Sequence, residues 1–176
     1  MADTHKNMEL KNGNRKAVYG LNVPLVQEYI GFEMETISPT CIAGRFVVSE
    51  KSAQSFGVLH GGVSAFLAES LGSLGAYMAS GFQRIAGVEV STSHLRPAPV
   101  GTEIEAKATP VHIGRRLHVW EVKLILAKHS HNDLPKQESS ETSESGLISV
   151  SKFTAIILPS NPTAKNQDAK RIPSKL

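Results

Sequence analysis

The chain has 176 residues, 40% hydrophobic and 20% charged, with 14 Gly and 9 Pro, a balance that fits one compact folded unit rather than two. Its net charge of +3 does not describe the body, because eight of the 19 Lys and Arg lie in residues 1–16 and 160–176, leaving 11 basic against 13 acidic residues between them. No run approaches the roughly 18 apolar residues of a membrane span, residues 1–16 lack the apolar segment of a secretory signal, Cys41 has no second cysteine to pair with, and seven scattered His with one Cys give no zinc spacing; an intracellular, soluble protein without metal, disulfide, membrane or nucleic-acid partner is expected.

Residues 1–20 read as a disordered tail, and the folded domain is expected over 21–159. A short turn near 26–30 precedes two stretches of alternating apolar residues, 32–37 and 41–48, broken by Ser38-Pro39 into a hairpin. Residues 61–80 have helical periodicity. Four segments rich in Val, Ile and Thr follow, at 86–95, 103–112, 116–127 and 147–158. Between them lie Pro97-Ala98-Pro99-Val100-Gly101, Ile113-Gly114 and a Ser, Glu and Asn rich loop at 129–146, with a second tail at 160–176. His129 and His131 in the loop lack a third metal ligand. Short connections favour antiparallel neighbours. The fold class is therefore α+β, a curved antiparallel sheet wrapped around one long helix.

At about 100° per residue, Val63, Phe66, Leu67, Leu71, Leu74, Tyr77 and Met78 of that helix fall within an arc of roughly 140°. The other arc carries Gly62, Ala65, Ala68, Gly72, Gly75, Ala76, Ala79 and Ser80, with Glu69 and Ser73. The bulky arc is expected to fill the sheet, and the small arc to let a second subunit or a ligand come close. Glu69 has no cationic neighbour one turn away, so a buried, unpaired carboxylate is expected, a group often kept for chemistry. Ser73 lies one turn on and is placed to orient that carboxylate or a water. At the helix start, His60-Gly61-Gly62 can present free N–H groups, aided by the helix dipole, to an oxygen gaining negative charge. Eight residues separate Gly61 from Glu69, about 12 Å along the axis, so two subunits are better able than one to bring both groups to one carbonyl.

Gln54-Ser55-Phe56-Gly57-Val58-Leu59-His60-Gly61-Gly62, followed by Ser64 to Ser73, resembles the hotdog-fold acyl-CoA thioesterases of the 4-hydroxybenzoyl-CoA type. Within these the resemblance is strongest to plant and bacterial 1,4-dihydroxy-2-naphthoyl-CoA thioesterases. It runs from about residue 25 to 158 and includes Ser93-His94-Leu95-Arg96-Pro97 and His112-Ile113-Gly114-Arg115-Arg116. The resemblance implies a hotdog fold and cofactor-free hydrolysis of an acyl-CoA. Glu69 would act as nucleophile or general base, the Gly61 N–H with Gln54 would polarise the carbonyl, His60 would line the site and Ser73 would position water. Gly87, His94, Leu95, Arg96, Pro97, His112, Ile113, Gly114, Arg115 and Arg116 would contact substrate or coenzyme A. Guanidinium groups beside a Gly turn suit phosphates on chemical grounds too. A homo-oligomer, as a dimer of dimers, is implied.

The chain closes on Ser174-Lys175-Leu176, the tripeptide of a peroxisomal address read by an import receptor. With the family it points to release of a naphthoate during phylloquinone synthesis in a plant peroxisome. Two other functions fit the same residues: a thioesterase of broader acyl range, and a non-catalytic acyl-CoA binding module. Glu69 speaks against the second, since binding alone has no need of an unpaired acid.

Overall fold

The computed structural model describes residues 25–127 and 146–159. The expected tails, the closing tripeptide and nearly all of the 129–146 loop, His129 and His131 included, lie outside them. The element order is α1 (Leu25–Tyr29), β1 (Glu33–Ser38), β2 (Cys41–Val47), α2 (Gly61–Ala79), β3 (Ile85–His94), β4 (Glu103–Ile113), β5 (Leu117–Leu126) and β6 (Leu147–Ile157), so every expected element is present, with its ends displaced by at most one residue. The six strands form one antiparallel sheet in the order β1-β2-β4-β5-β6-β3, and α2 packs along its inner face. This is the α+β, hotdog arrangement. The β1–β2 turn is tied by the Ser38 hydroxyl, which accepts the Cys41 N–H at 2.9 Å.

One connection breaks the expectation that short links join neighbours. β3 pairs with β6 at the sheet's far edge, while β4 lies between β2 and β5, so residues 95–102 cross the end of the sheet. The crossing is pinned along its length. The Ile148 carbonyl accepts the N–H groups of Leu95 (2.8 Å) and Arg96 (3.2 Å), and the carbonyl of buried Ala98 accepts the Leu59 N–H at 2.8 Å. Pro97 and Pro99 have no N–H to give to a ladder, which suits a crossing better than a hairpin.

The face of α2 that meets the sheet also differs from expectation. Leu67, Leu71 and Met78 are buried, but so are Ser64, Ala68, Gly72, Gly75 and Ala76, while Val63, Phe66 and Leu74 are only partly covered. The two largest inward side chains of the sheet, Trp120 and Phe153, explain why. A Cβ on Gly72 would stand 2.6 Å from Phe153 Cδ1, and one on Gly75 would stand 2.6 Å from the Trp120 ring. The small arc is a socket for these rings, each of which buries about 150–250 Å². Its buried members, Ala68, Gly72, Gly75 and Ala76, are therefore turned to the sheet, and Gly62, Glu69 and Ser73 of that arc remain on the side open to a partner or a ligand. Gly62, Phe66, Glu69, Ser73 and Tyr77, three or four residues apart, therefore share the outward face.

On β5, His118 alternates with Trp120, Val122 and Leu124 on the inner face and is 2% exposed, with its Nδ1 lacking a hydrogen-bond partner among the described residues. Burial holds its pKa below that of a free imidazole, and His112 nearby pushes the same way, while backbone groups of Gly114 and Ala76 act against it. The unfolded chain binds the proton more readily, so the stability contributed by neutral His118 is complete above the unfolded pKa of about 6.5 and falls as pH drops toward the lower folded value. Denaturant titrations of the protein and of His118→Gln should differ in acid slope, the variant losing less stability as pH falls below about 6.5. Equal slopes would show that other groups set the acid limb.

Candidate active site

The start of α2 is held before any ligand arrives. His60 is its N-cap, and its Nδ1 accepts the Gly62 N–H at 2.8 Å, which leaves Nε2 to carry the imidazole proton. The chain leading in is a tight turn in which the Gln54 N–H donates to the Val58 carbonyl (2.8 Å) and Gly57, at φ 72°, donates to the Gln54 carbonyl (2.9 Å). The His60 N–H donates to the Ser52 carbonyl at 2.9 Å. The Gly61 N–H has no acceptor among the described residues, so it projects at the positive end of the helix. The exposed imidazole of His94 lies against the bare Cα of Gly61, since a Cβ there would stand 2.9 Å from His94 Nε2. Gln54, His60, Gly61 and His94, with Leu95, Arg96 and Pro97 next to it, are thus gathered at one end of the sheet.

Glu69 is exposed in the single chain, contrary to the burial expected for it, because it stands on the outward face of α2 beside β3, which has no strand on its other side among the described residues. Its Oε1 lies 3.7 Å from where a Cβ on Gly87 would be. The bare glycine leaves room for a ligand or chain to lie against the carboxylate. No ion pair or hydrogen bond reaches Glu69 from the described residues. Ser73 is half-buried one turn further along the same face.

A β-bulge relates the two groups of residues. The register of β3 against β6 shifts between Gly87 and Glu89, so Val88 is an extra residue. Gly87 and His94 are seven apart and would point to opposite faces of a regular strand. With the bulge both face α2, opposite the buried Ala155 and Ser149. The sequence reading missed this, although a glycine inside a Val-rich strand is the usual sign of it.

His112, Ile113, Gly114, Arg115 and Arg116 are not brought to the same place. They form the β4–β5 hairpin, closed by the Gly114 N–H to the Leu117 carbonyl at 2.9 Å, and lie beside the start of β3 rather than its His94 end. Ten residues of β3 separate the two ends, roughly 30 Å. Within one chain the residues expected to hold the substrate thus form two clusters, with Glu69 between them.

Comparison with known proteins places this arrangement. Residues 56–130 match the thioesterase superfamily model. The chain is 40% identical over 147 residues to 1,4-dihydroxy-2-naphthoyl-CoA thioesterase 2 of Arabidopsis thaliana, an alignment covering 84% of this chain and 90% of that protein. The chain belongs to the thioesterase superfamily. It is also 33% identical over 98 residues to the 1,4-dihydroxy-2-naphthoyl-CoA hydrolase of Escherichia coli, covering 55% of this chain and 71% of that one. A crystal structure of a Haemophilus influenzae thioesterase superposes with a TM-score of 0.60 at 28% identity, over 76% of this chain and 82% of that one. For this thioesterase the reaction class is hydrolysis of an acyl-CoA thioester.

Proposed function

We propose that this thioesterase hydrolyses an aryl acyl-CoA, foremost 1,4-dihydroxy-2-naphthoyl-CoA, to the free acid and coenzyme A, at a site shared by two copies of the chain. The observation that carries the reading is a carboxylate, Glu69, presented beside bare Gly87 on a strand edge that no described residue pairs. A ten-residue open edge with Val88 and Val90 exposed is a template for a second strand. Antiparallel pairing along β3 about a two-fold axis sets the His94 end of one copy beside the hairpin end of the other. The Gly61 N–H of one subunit then approaches Glu69 of its partner, and the two clusters of binding residues become one.

The thioester carbonyl oxygen rests on the Gly61 N–H, with Gln54 assisting, where the charge that develops on it is stabilised by the helix start. Glu69 attacks the carbonyl carbon or takes a proton from an attacking water, and Ser73 holds that water or the carboxylate. The carbon–sulfur bond breaks. Water supplies the oxygen and proton of the acid and the proton taken up by the thiolate. His60 keeps its ring fixed through the Gly62 N–H while lining the site.

The acyl group is inferred from the similarity to the Arabidopsis protein. Thiol release measured with dihydroxynaphthoyl-CoA, benzoyl-CoA and palmitoyl-CoA tests it: kcat/KM should fall in that order, and a higher value for palmitoyl-CoA would replace the aryl assignment with a broad-range one. Action in the peroxisome, within phylloquinone synthesis, is inferred from Ser174-Lys175-Leu176. A fluorescent fusion carrying these residues should collect in peroxisomes and one lacking them should not; equal distributions would remove the address.

A further inference from the structure

We propose that Arg84, in the turn between α2 and β3, is a phosphate-binding residue for the nucleotide end of the acyl-CoA and acts together with Arg115 and Arg116. The inference rests on the acyl-CoA reading above and adds a residue from an element with no assigned role.

The turn is unusually well fixed. After α2 the Gly81 N–H donates to the Met78 carbonyl (3.0 Å) and the Phe82 N–H to the Tyr77 carbonyl (2.9 Å), while the Phe82 ring meets Tyr77 edge-on at 5.3 Å. Gly81 has φ 72° and Phe82 φ 64°, a left-handed pair that is costly for a bulky side chain and turns the backbone sharply toward β3. Ser80 Oγ accepts the Gln83 N–H at 3.1 Å, and Gln83 Nε2 donates to the Ser80 carbonyl at 2.8 Å. Arg84 is the next residue, so its backbone leaves a fixed turn and enters a strand.

The end of β6 lies between Arg84 and Arg116. The Leu158 N–H donates to the Arg84 carbonyl (2.8 Å), and the preceding Ile157 N–H donates to the Arg116 carbonyl (2.9 Å). Arg84 and Arg116 thus flank one strand, their backbones about two strand spacings or 10 Å apart; they pair with the adjacent Leu158 and Ile157, so their side chains leave the end of the sheet from opposite faces and would hold different phosphates of one coenzyme A. Arg84, Arg115 and Arg116 are all exposed, and no ion pair joins any of them to a described residue. Segments 70–88, 106–120 and 153–159 contain no Asp or Glu; of the acids that bound them, Glu89 pairs with Lys152 and Glu121 with Lys123, and Glu69 lies by Gly87, further along β3. Three guanidinium groups with no acid paired to them among the described residues repel one another until an anion arrives. Coenzyme A brings a diphosphate and a 3′-phosphate, and guanidinium groups bind such oxygens in pairs. The fixed turn lowers the ordering cost of placing Arg84 there.

The test compares benzoyl-CoA with S-benzoyl-pantetheine, which has the same thioester and lacks the nucleotide. In Arg84→Gln the kcat/KM preference for the CoA substrate should fall about tenfold, mainly through KM, and Arg84→Lys should recover part of it. A preference unchanged to within about twofold would overturn the assignment. Calorimetric titration with coenzyme A alone keeps this separate from the hydrolytic reading. There Arg84→Gln should weaken Kd about tenfold, and equal affinity would overturn the assignment. A protein that bound coenzyme A through Arg84 and hydrolysed neither thioester would instead defeat the hydrolase reading and leave Arg84 in place.

Discussion

Glu69→Gln is expected to lower kcat for acyl-CoA hydrolysis by roughly 10³-fold, the scale on which a nucleophile or general base acts. The amide is nearly the same size but neither attacks a thioester nor accepts water's proton at neutral pH. Nothing in the described chain bonds to the carboxylate, so its loss removes no tertiary contact. If a partner covers the β3 edge, the wild-type charge is desolvated there and the neutral amide should leave the oligomer as stable or more so. Steady-state thiol release, a thermal melt and titration with coenzyme A separate the effects: kcat should collapse while Tm and Kd hold. A kcat within tenfold of wild type would end the assignment of Glu69 as the reacting group.

How much of this was legible in the sequence depended on how local each determinant is. The strands and α2 follow from period and from breakers such as Ser38-Pro39, and both act within a few residues, so their limits could be read closely. The partner of each strand is not local. Residues 95–102 are short enough for a hairpin, and only the pinning of Leu95, Arg96 and Ala98 by distant backbone carries them across the sheet instead. The faces of α2 were read only in part for the same reason: Leu67, Leu71 and Met78 do turn inward, but Gly72, Gly75 and Ala76 turn inward with them. Periodicity separates large from small residues, but which arc turns inward was decided by Trp120 and Phe153, two strands of the sheet far along the chain from the helix, whose rings need Gly75 and Gly72 beneath them.

The site was legible as chemistry before it was legible as geometry. Glu69 without a partner and His60-Gly61-Gly62 at a helix start are visible in the sequence, and His60 proves to be the residue that caps the helix. The exposure of Glu69 was not visible, because it depends on β3 being the last strand of the sheet and on the bulge at Val88 that brings Gly87 to the same face as His94. The separation of Arg115 and Arg116 from His94 follows from strand order as well, and it leaves a single chain with the residues expected to bind substrate in two places.

Gly61→Pro and Glu69→Gln should each inactivate the enzyme, yet the two variants refolded together should recover about a quarter of wild-type activity. Proline is well suited to position 61: it is the first residue of α2, where the N–H has no intrahelical partner and proline is favoured, and His60 at φ −70° and ψ 127° already has the extended backbone that proline demands of its predecessor. The substitution therefore deletes the donor and keeps the helix, for an expected loss of about 10²–10³-fold. Gly61→Ala keeps the N–H but sets a Cβ 2.9 Å from His94 Nε2, so it reports the cost of moving that exposed ring alone and should lose far less. In a mixed dimer one site would combine the substituted carboxylate with the missing donor and be dead, whereas the other would have an intact Glu69 facing an intact Gly61. Random pairing makes about half the dimers mixed, each with one working site of two, which gives the quarter. Were both groups to act within one chain, no mixed dimer would hold a complete site and the mixture would stay inactive, so a flat result would place the reaction in the monomer.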